Sequence, residues 1–190
     1  MWAVGLVAGF SWLMAYQTEA GAAAVPPGEW PADSGLPFDP QRSNFVIFAH
    51  PKCPCTRATL DELEVVLTQR RTEIQSTLCV FDPEGVAPDW AETSLVQRAK
   101  RIPGLNVIVD RDGTIAANFG AMTSGQTIMF DRDGRRLFAG GITGTRGHAG
   151  ENRGRNLVLA LAKGEICASP RTPVFGCALH EATGSPAKKP

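Results

Sequence analysis

Three absences narrow what this sequence can do. There is no net charge, because 19 basic and 19 acidic side chains cancel over 190 residues. No basic excess exists to neutralise phosphates, so no nucleic-acid partner is expected. There is no phosphate loop, no dinucleotide fingerprint and no Ser-His-Asp signal, which sets aside nucleotide chemistry and triad hydrolysis. There is also no lysine or arginine before Arg42. Glu19, Glu29, Asp33 and Asp39 do precede it, so the first 41 residues carry about −4 and the remainder about +4. What is present is ordinary globular composition, 43% hydrophobic and 20% charged. That excludes a disordered chain, a collagen-like repeat and a multi-domain enzyme, and it suits one domain with extensions.

Residues 1–16 (MWAVGLVAGFSWLMAY) are apolar apart from Ser11. As a helix they would span roughly 24 Å, short of the roughly 30 Å hydrocarbon core. Two readings stay open. One is a membrane anchor, with Trp2, Trp12 and Tyr16 suited to the interface. The other is a secretory signal with Ala22-Ala23-Ala24 near a cleavage site. Both place the chain outside the cytoplasm, anchored in the inner membrane with a periplasmic domain or secreted to the periplasm. A buried core helix is a third reading. Residues 17–41 contain Pro26, Pro27, Pro31, Pro37 and Pro40. They read as an extended linker able to hold a domain off a membrane surface.

From Arg42 the pattern becomes alternating. Strands are expected at 44–49, 76–81 and 105–109, and helices at 56–71 and 89–101, the second capped by Asp89 and stopped by Pro103-Gly104. A short helix follows at 114–119. A hairpin is expected from 127–130 and 136–139 around Asp131-Arg132-Asp133-Gly134. Residues 152–163 form a closing helix. Strands alternating with helices imply a parallel core, and the hairpin adds an antiparallel edge. This order predicts an α/β domain over residues 42–165, a thioredoxin-like three-layer α/β/α sandwich with a mixed sheet, followed by a cysteine-containing tail over 166–190. The last residues, 183–190, read as disordered.

The chemistry concentrates in His50-Pro51-Lys52-Cys53-Pro54-Cys55-Thr56-Arg57, between the first strand and the first helix. Free N–H groups and the positive end of a helix dipole stabilise a thiolate there. With Pro54 at the first helical position, Cys53 falls at about the N-cap and Cys55 in the first turn. Lys52 and Arg57 add positive charge nearby. A Cys-x-Cys disulfide closes a small, strained ring, which makes it easily reduced. The pair can serve as a nucleophile and its resolving partner, or chelate a soft metal.

The stretch 45–67 (FVIFAHPKCPCTRATLDELEVVL) resembles the active-site region of thioredoxin-like proteins, most of all the membrane-tethered TlpA and RedB type. Val109-Asp110-Arg111-Asp112-Gly113 and Phe130-Asp131-Arg132-Asp133-Gly134-Arg135 resemble that group's two late strand ends. The resemblance covers roughly residues 42–165 and implies a thioredoxin fold, periplasmic exposure and thiol–disulfide chemistry. Matching Pro54-Cys55 to the second half of Cys-Gly-Pro-Cys puts Lys52 in the nucleophile's place. Matching Cys53-Pro54 to a peroxiredoxin-like Cys-Pro makes Cys53 the nucleophile, which we favour because it is nearer the exposed turn. The place of the thioredoxin cis-proline falls on Gly125, after Ser124, in a loop able to present backbone groups to a substrate.

The glycine-rich loop 140–152 follows the last strand and, in such a fold, lies on the side of the cysteine turn. Arg146 could hold a thiolate or anionic substrate there, and His148 could act as base or metal ligand. Cys79, within the second strand, reads as a buried inert thiol. Cys167 and Cys177 could form a structural disulfide that pins the tail, with Val174-Phe175 docking it. Alternatively Cys177 is a mobile resolving cysteine. The leading expectation is a thiol–disulfide oxidoreductase needing no cofactor and no metal, with Cys53 attacking a protein or small-molecule disulfide and Cys55 resolving. One alternative is a copper-binding or delivery module using Cys53, Cys55 and His148. Another is a thiol peroxidase, with Cys53 oxidised by peroxide and resolved by Cys55 or Cys177.

Overall fold

A computed structural model of the chain describes residues 2–167 and 170–180; the expectation for 183–190 lies outside the described residues. The first element is α1 (Trp2–Thr18), with no buried residue. Trp2, Val4, Val7, Phe10 and Trp12 are all exposed, so it is not a core helix. Among the described residues, no helix is long and apolar enough to cross a membrane.

The domain proper runs β1 (Ser43–Ala49), α2 (Thr56–Arg70), β2 (Ile74–Asp82), α3 (Ser94–Ala99), β3 (Leu105–Arg111), α4 (Thr114–Asn118), β4 (Gln126–Phe130), β5 (Arg136–Gly141) and α5 (Arg153–Ala162). One five-stranded sheet has the order β3-β2-β1-β4-β5. β1 pairs parallel with β2, and β2 with β3. β4 pairs antiparallel with both β1 and β5. The central strand β1 is apolar on both faces because both are covered. Phe45, Ile47 and Ala49 face a core built with Leu60, Leu63 and Leu67 of α2, Leu95 and Val96 of α3, and Val158 of α5. Val46 and Phe48 face the other way, onto Phe119, Ile128, Phe130 and Ala116 of α4. Helices thus lie on both faces of a mixed sheet, as the alternating pattern predicts.

Two expectations are corrected. The helix expected over 89–101 shrinks to α3, and its N-cap is Thr93, not Asp89. The Thr93 hydroxyl accepts the Val96 N–H at 3.4 Å. Residues 87–93 form turns instead, because Trp90 is drawn out to pack against His50 and Phe81. The proline-rich stretch does not stand off the domain either. Trp30 packs on Phe38, Phe119 and Phe130, and Trp30 N–H donates to the Gly134 carbonyl at 2.7 Å. Proline keeps this segment extended, as expected, but its apolar side chains close the second core.

A buried ion pair ties the helices that flank the site. Glu62 on α2, 1% exposed, meets Arg155 on α5 at 2.8 Å. It also accepts the Gly150 N–H, and so fixes the end of the loop 142–152. Asn152 caps α5 through Arg155 N–H at 2.9 Å. Removing one partner leaves the other charge buried and unpaired. Glu62→Ala should therefore cost about 3 kcal/mol, lowering Tm by roughly 6–12 °C at this chain length. Thermal unfolding by circular dichroism checks this; a loss below about 1 kcal/mol would class the pair with surface ion pairs.

Candidate active site

The cysteine turn sits where β1 ends and α2 begins. Hydrogen bonds from Cys53 N–H to His50 O (3.0 Å), Thr56 N–H to Cys53 O (3.2 Å) and Ala58 N–H to Cys55 O (3.2 Å) wind it into the helix. The helix starts at Thr56 with Cys55 at the N-cap. That is two residues later than the placement of Cys53 at the cap. Cys53 is also not the exposed member of the pair. It is 1% exposed, whereas Cys55 is half-buried and Pro54 exposed. The cover comes from the C-terminal tail.

The tail crosses the loop that precedes β4. Ser124 N–H donates to Cys177 O at 2.8 Å, and Leu179 N–H donates to Met122 O at 2.9 Å. Thr123 and Ala178 form an antiparallel bridge between them. This lays the Cys177 sulfur 3.0 Å from the Cys53 sulfur. All five cysteines are free thiols. The expected Cys167–Cys177 disulfide is therefore not formed. Cys167 instead packs against the core formed with α5, while tail pairing carries Cys177 to Cys53. Tail docking itself follows the expectation: Val174 and Phe175 are buried, as is Leu179.

The surroundings of Cys53 favour its ionised form. Its pKa is held down to about 4, first by the hydrogen bond from the Cys177 thiol. Burial opposes this, and the Cys177 N–H, the Thr56 hydroxyl and the Cys55 N–H support it. The Thr56 donor is oriented by its neighbours. His50 N–H donates to Ser124 Oγ at 2.9 Å, and Ser124 Oγ lies 2.7 Å from Thr56 Oγ1. With Ser124 donating to Thr56, the Thr56 proton is left for sulfur. Cys55 is pushed up by burial and then by the Cys53 charge, with Arg146 opposing. Cys177 is pushed up by its hydrogen bond to Cys53, by burial and by the Cys53 charge, again against Arg146. One thiolate thus sits among two protonated thiols. Buried Cys79 is pushed up by desolvation.

The sequence-named supporting residues divide. Thr56, Ser124 and Arg146 meet the sulfurs or their partners. Arg146 donates to Gly176 O at 2.6 Å, and its guanidinium lies over Tyr16 at 5.1 Å. Gly125 adopts φ +90°, donates to Phe48 O at 2.8 Å and leaves no cis peptide among the described residues. Lys52 and Arg57 are exposed, and Lys52 lies 4.4 Å over the Trp90 ring. The cation beside the thiols is therefore Arg146, reached only through the fold. His148 is exposed, with Nδ1 2.8 Å from Arg146 O. Among the described residues, no three His, Cys, Asp or Glu side chains assemble a metal-binding group. Sequence reasoning missed Gly176. A Cβ there would strike the Ser124 carbonyl, and the Gly-Cys step inside an apolar tail was the available signal.

Sheet order and the cysteine turn between β1 and α2 define a thioredoxin-like fold. Solved structures share it. A hypothetical protein from Sinorhizobium meliloti matches with TM-score 0.61 and 18% identity, over 88% of this chain and 99% of that one. An uncharacterized conserved protein from Geobacillus kaustophilus matches with TM-score 0.60 and 14% identity, over 88% and 95%. A SCO1/SenC family lipoprotein from Bacillus anthracis matches with TM-score 0.50 and 12% identity, over 75% and 98%. At these identities the likeness is one of fold. No protein-family model matches the chain, and no curated protein matches it.

The donors around Cys53 make a pH prediction. Its ordinary value is 9.0 and its folded value about 4, so the thiolate stabilises the reduced fold. That contribution is complete above pH 9, declines as pH falls from 9 toward 4, and is gone below 4. Ultraviolet thiolate absorbance of the reduced chain should show one step near pH 4, absent in Cys53→Ser. Thr56→Val removes a donor to a charged acceptor and should raise that step by roughly 1–2 pH units. An unmoved step would remove Thr56 from the site.

Proposed function

We propose that the chain is a thiol–disulfide oxidoreductase of the TlpA and RedB type, acting outside the cytoplasm with Cys53 as the attacking thiolate. One observation carries the reading. A sulfur whose surroundings hold its pKa down to about 4, so that it is ionised at neutral pH, lies 3.0 Å from a second, protonated thiol. Exchange requires an attacking thiolate and a second thiol within reach to resolve the mixed disulfide. Cys53 attacks a sulfur of a partner disulfide, and the partner's other sulfur leaves. A neighbouring thiol then displaces Cys53 from the partner. Cys55 is one such neighbour, one residue away along the turn.

An extracytoplasmic site is part of this proposal. Disulfides persist in oxidising compartments, and α1 is apolar, exposed and free of charged residues, as a membrane-associated or export segment would be. One of the similar structures is that of a lipoprotein, which supports the same reading. The expected partners are protein or small-molecule thiols and disulfides. The copper-module alternative needs His148 beside the cysteines, and His148 instead folds back on the Arg146 carbonyl.

A redox titration in graded glutathione buffers tests the reading. Cys53 should enter a disulfide with a midpoint of roughly −120 to −270 mV, the span of exchange proteins. Cys53→Ser should abolish reduction of a protein disulfide substrate. A Cys53 that stays reduced across all buffers would end the proposal and turn attention to copper binding and peroxide reduction.

A further inference from the structure

The segment that carries Cys177 is held by backbone pairing. Residues 176–179 add a short antiparallel strand to the loop before β4, using the backbone groups of Met122 and Ser124. Those groups are the ones an extended partner segment would need in order to bring its sulfur to Cys53. The place is therefore already filled, by a segment of the same chain that carries a cysteine.

The fit is built at several levels. Upstream, Ala139 N–H donates to Pro170 O at 3.1 Å, Gly141 N–H to Pro173 O at 3.2 Å, and Gly21 N–H to Val174 O at 2.8 Å. Gly176 lets the backbone pass against Ser124, where any side chain would collide. Arg146 clamps the Gly176 carbonyl. Downstream, Leu179 is 1% exposed in the second core, and His180 packs edge-on against Phe81 at 4.9 Å. Cys177 is thus aimed at Cys53 from both sides.

We propose that Cys177 is the thiol that resolves Cys53, delivered by a tail that docks in the partner groove as a tethered strand. This rests on the exchange reading above and assigns its second step. Cys53 thiolate attacks a partner disulfide. The partner's S–S bond breaks, a Cys53–partner bond forms, and the released partner sulfur takes a proton. Cys177 gives up its proton and attacks the Cys53 sulfur. A Cys53–Cys177 bond forms and the second partner sulfur leaves as a thiol. Two electrons pass from the two thiols of the chain to the partner, and Cys55 ends as a free thiol.

The charges favour this order. While Cys53 is ionised, it keeps Cys177 protonated. Once Cys53 is bonded to the partner that charge is gone, and Arg146 remains to favour a Cys177 thiolate. The sulfurs then need to close by about 1 Å from their present separation to reach bonding distance. The upstream anchors at Pro173 and Val174 keep the tail tethered while a partner displaces its end.

The test uses the full reduced chain with glutathione disulfide as oxidant. Samples are acid-quenched over time, alkylated, digested and mapped by mass spectrometry. The expected product is Cys53 linked to Cys177, with Cys55 alkylated. In Cys177→Ser, the Cys53–glutathione mixed disulfide should accumulate and clear at least about tenfold more slowly, since the tethered thiol and the proximity it supplies are gone. Gly176→Ala keeps every sulfur but crowds Ser124, and should slow clearance in the same direction by a smaller factor. A Cys53–Cys55 or Cys167–Cys177 disulfide as the product, with clearance unchanged in Cys177→Ser, overturns the assignment and leaves exchange at Cys53 standing. A Cys53 that never reacts with glutathione disulfide overturns both.

Discussion

A sulfur that is 1% exposed and still ionised must be surrounded by donors, and the rest of this site follows from that requirement. At Cys53 the largest favourable contribution comes from the Cys177 thiol, and the Cys177 N–H adds a second. The tail is therefore not an appendage to a finished site. Its docking removes Cys53 from water and at the same time replaces the lost water with fixed donors. The two effects oppose each other in the sulfur's pKa, and the donors win.

The fold supplies the remaining donors through backbone geometry. β1 delivers the turn to the end of the sheet, and α2 begins with Thr56 just beyond it. β4 lies antiparallel beside β1, so the loop before β4 reaches the same end, and Ser124 there meets both His50 and Thr56. Gly125 needs φ +90°, a conformation that glycine adopts without cost. A Cβ would also press on Thr59 Oγ1. The loop thus turns without the proline expected of thioredoxins and still offers Ser124 N–H and Met122 C=O to a passing strand.

Charge is arranged more sparingly than the sequence suggests. Lys52 and Arg57 flank the cysteines in the chain but face solvent, where a cation is screened. Arg146, more than ninety residues away from the pair in sequence, lies against Cys55 and the tail. It favours ionisation of Cys55 and Cys177, the two thiols that Cys53 holds protonated. Its loop is in turn fixed through Gly150 and the buried Glu62–Arg155 pair. The scaffold contact between α2 and α5 and the electrostatics at the sulfurs are therefore linked through one loop.

The sequence by itself determined the alternation of elements, because apolar runs of period two and stripes of period 3.6 are local properties of the chain. Asp131-Arg132-Asp133-Gly134 marked the hairpin, and the placement of Cys53 and Cys55 between a strand and a helix marked the site. Local pattern failed at residues 89–93, where helix-compatible residues gave way to packing of Trp90 on His50 and Phe81. It also failed in the proline-rich segment, where extension was legible but the docking of Trp30 was not. Only the tertiary structure decided which sulfur faces which. Cys167 and Cys177 are ten positions apart in the chain, and Cys53 and Cys177 are 124 apart. Sequence proximity favours the first pairing, but strand addition along Met122–Ser124 imposes the second. Such pairing depends on backbone groups that every residue carries, so no side-chain pattern announces it.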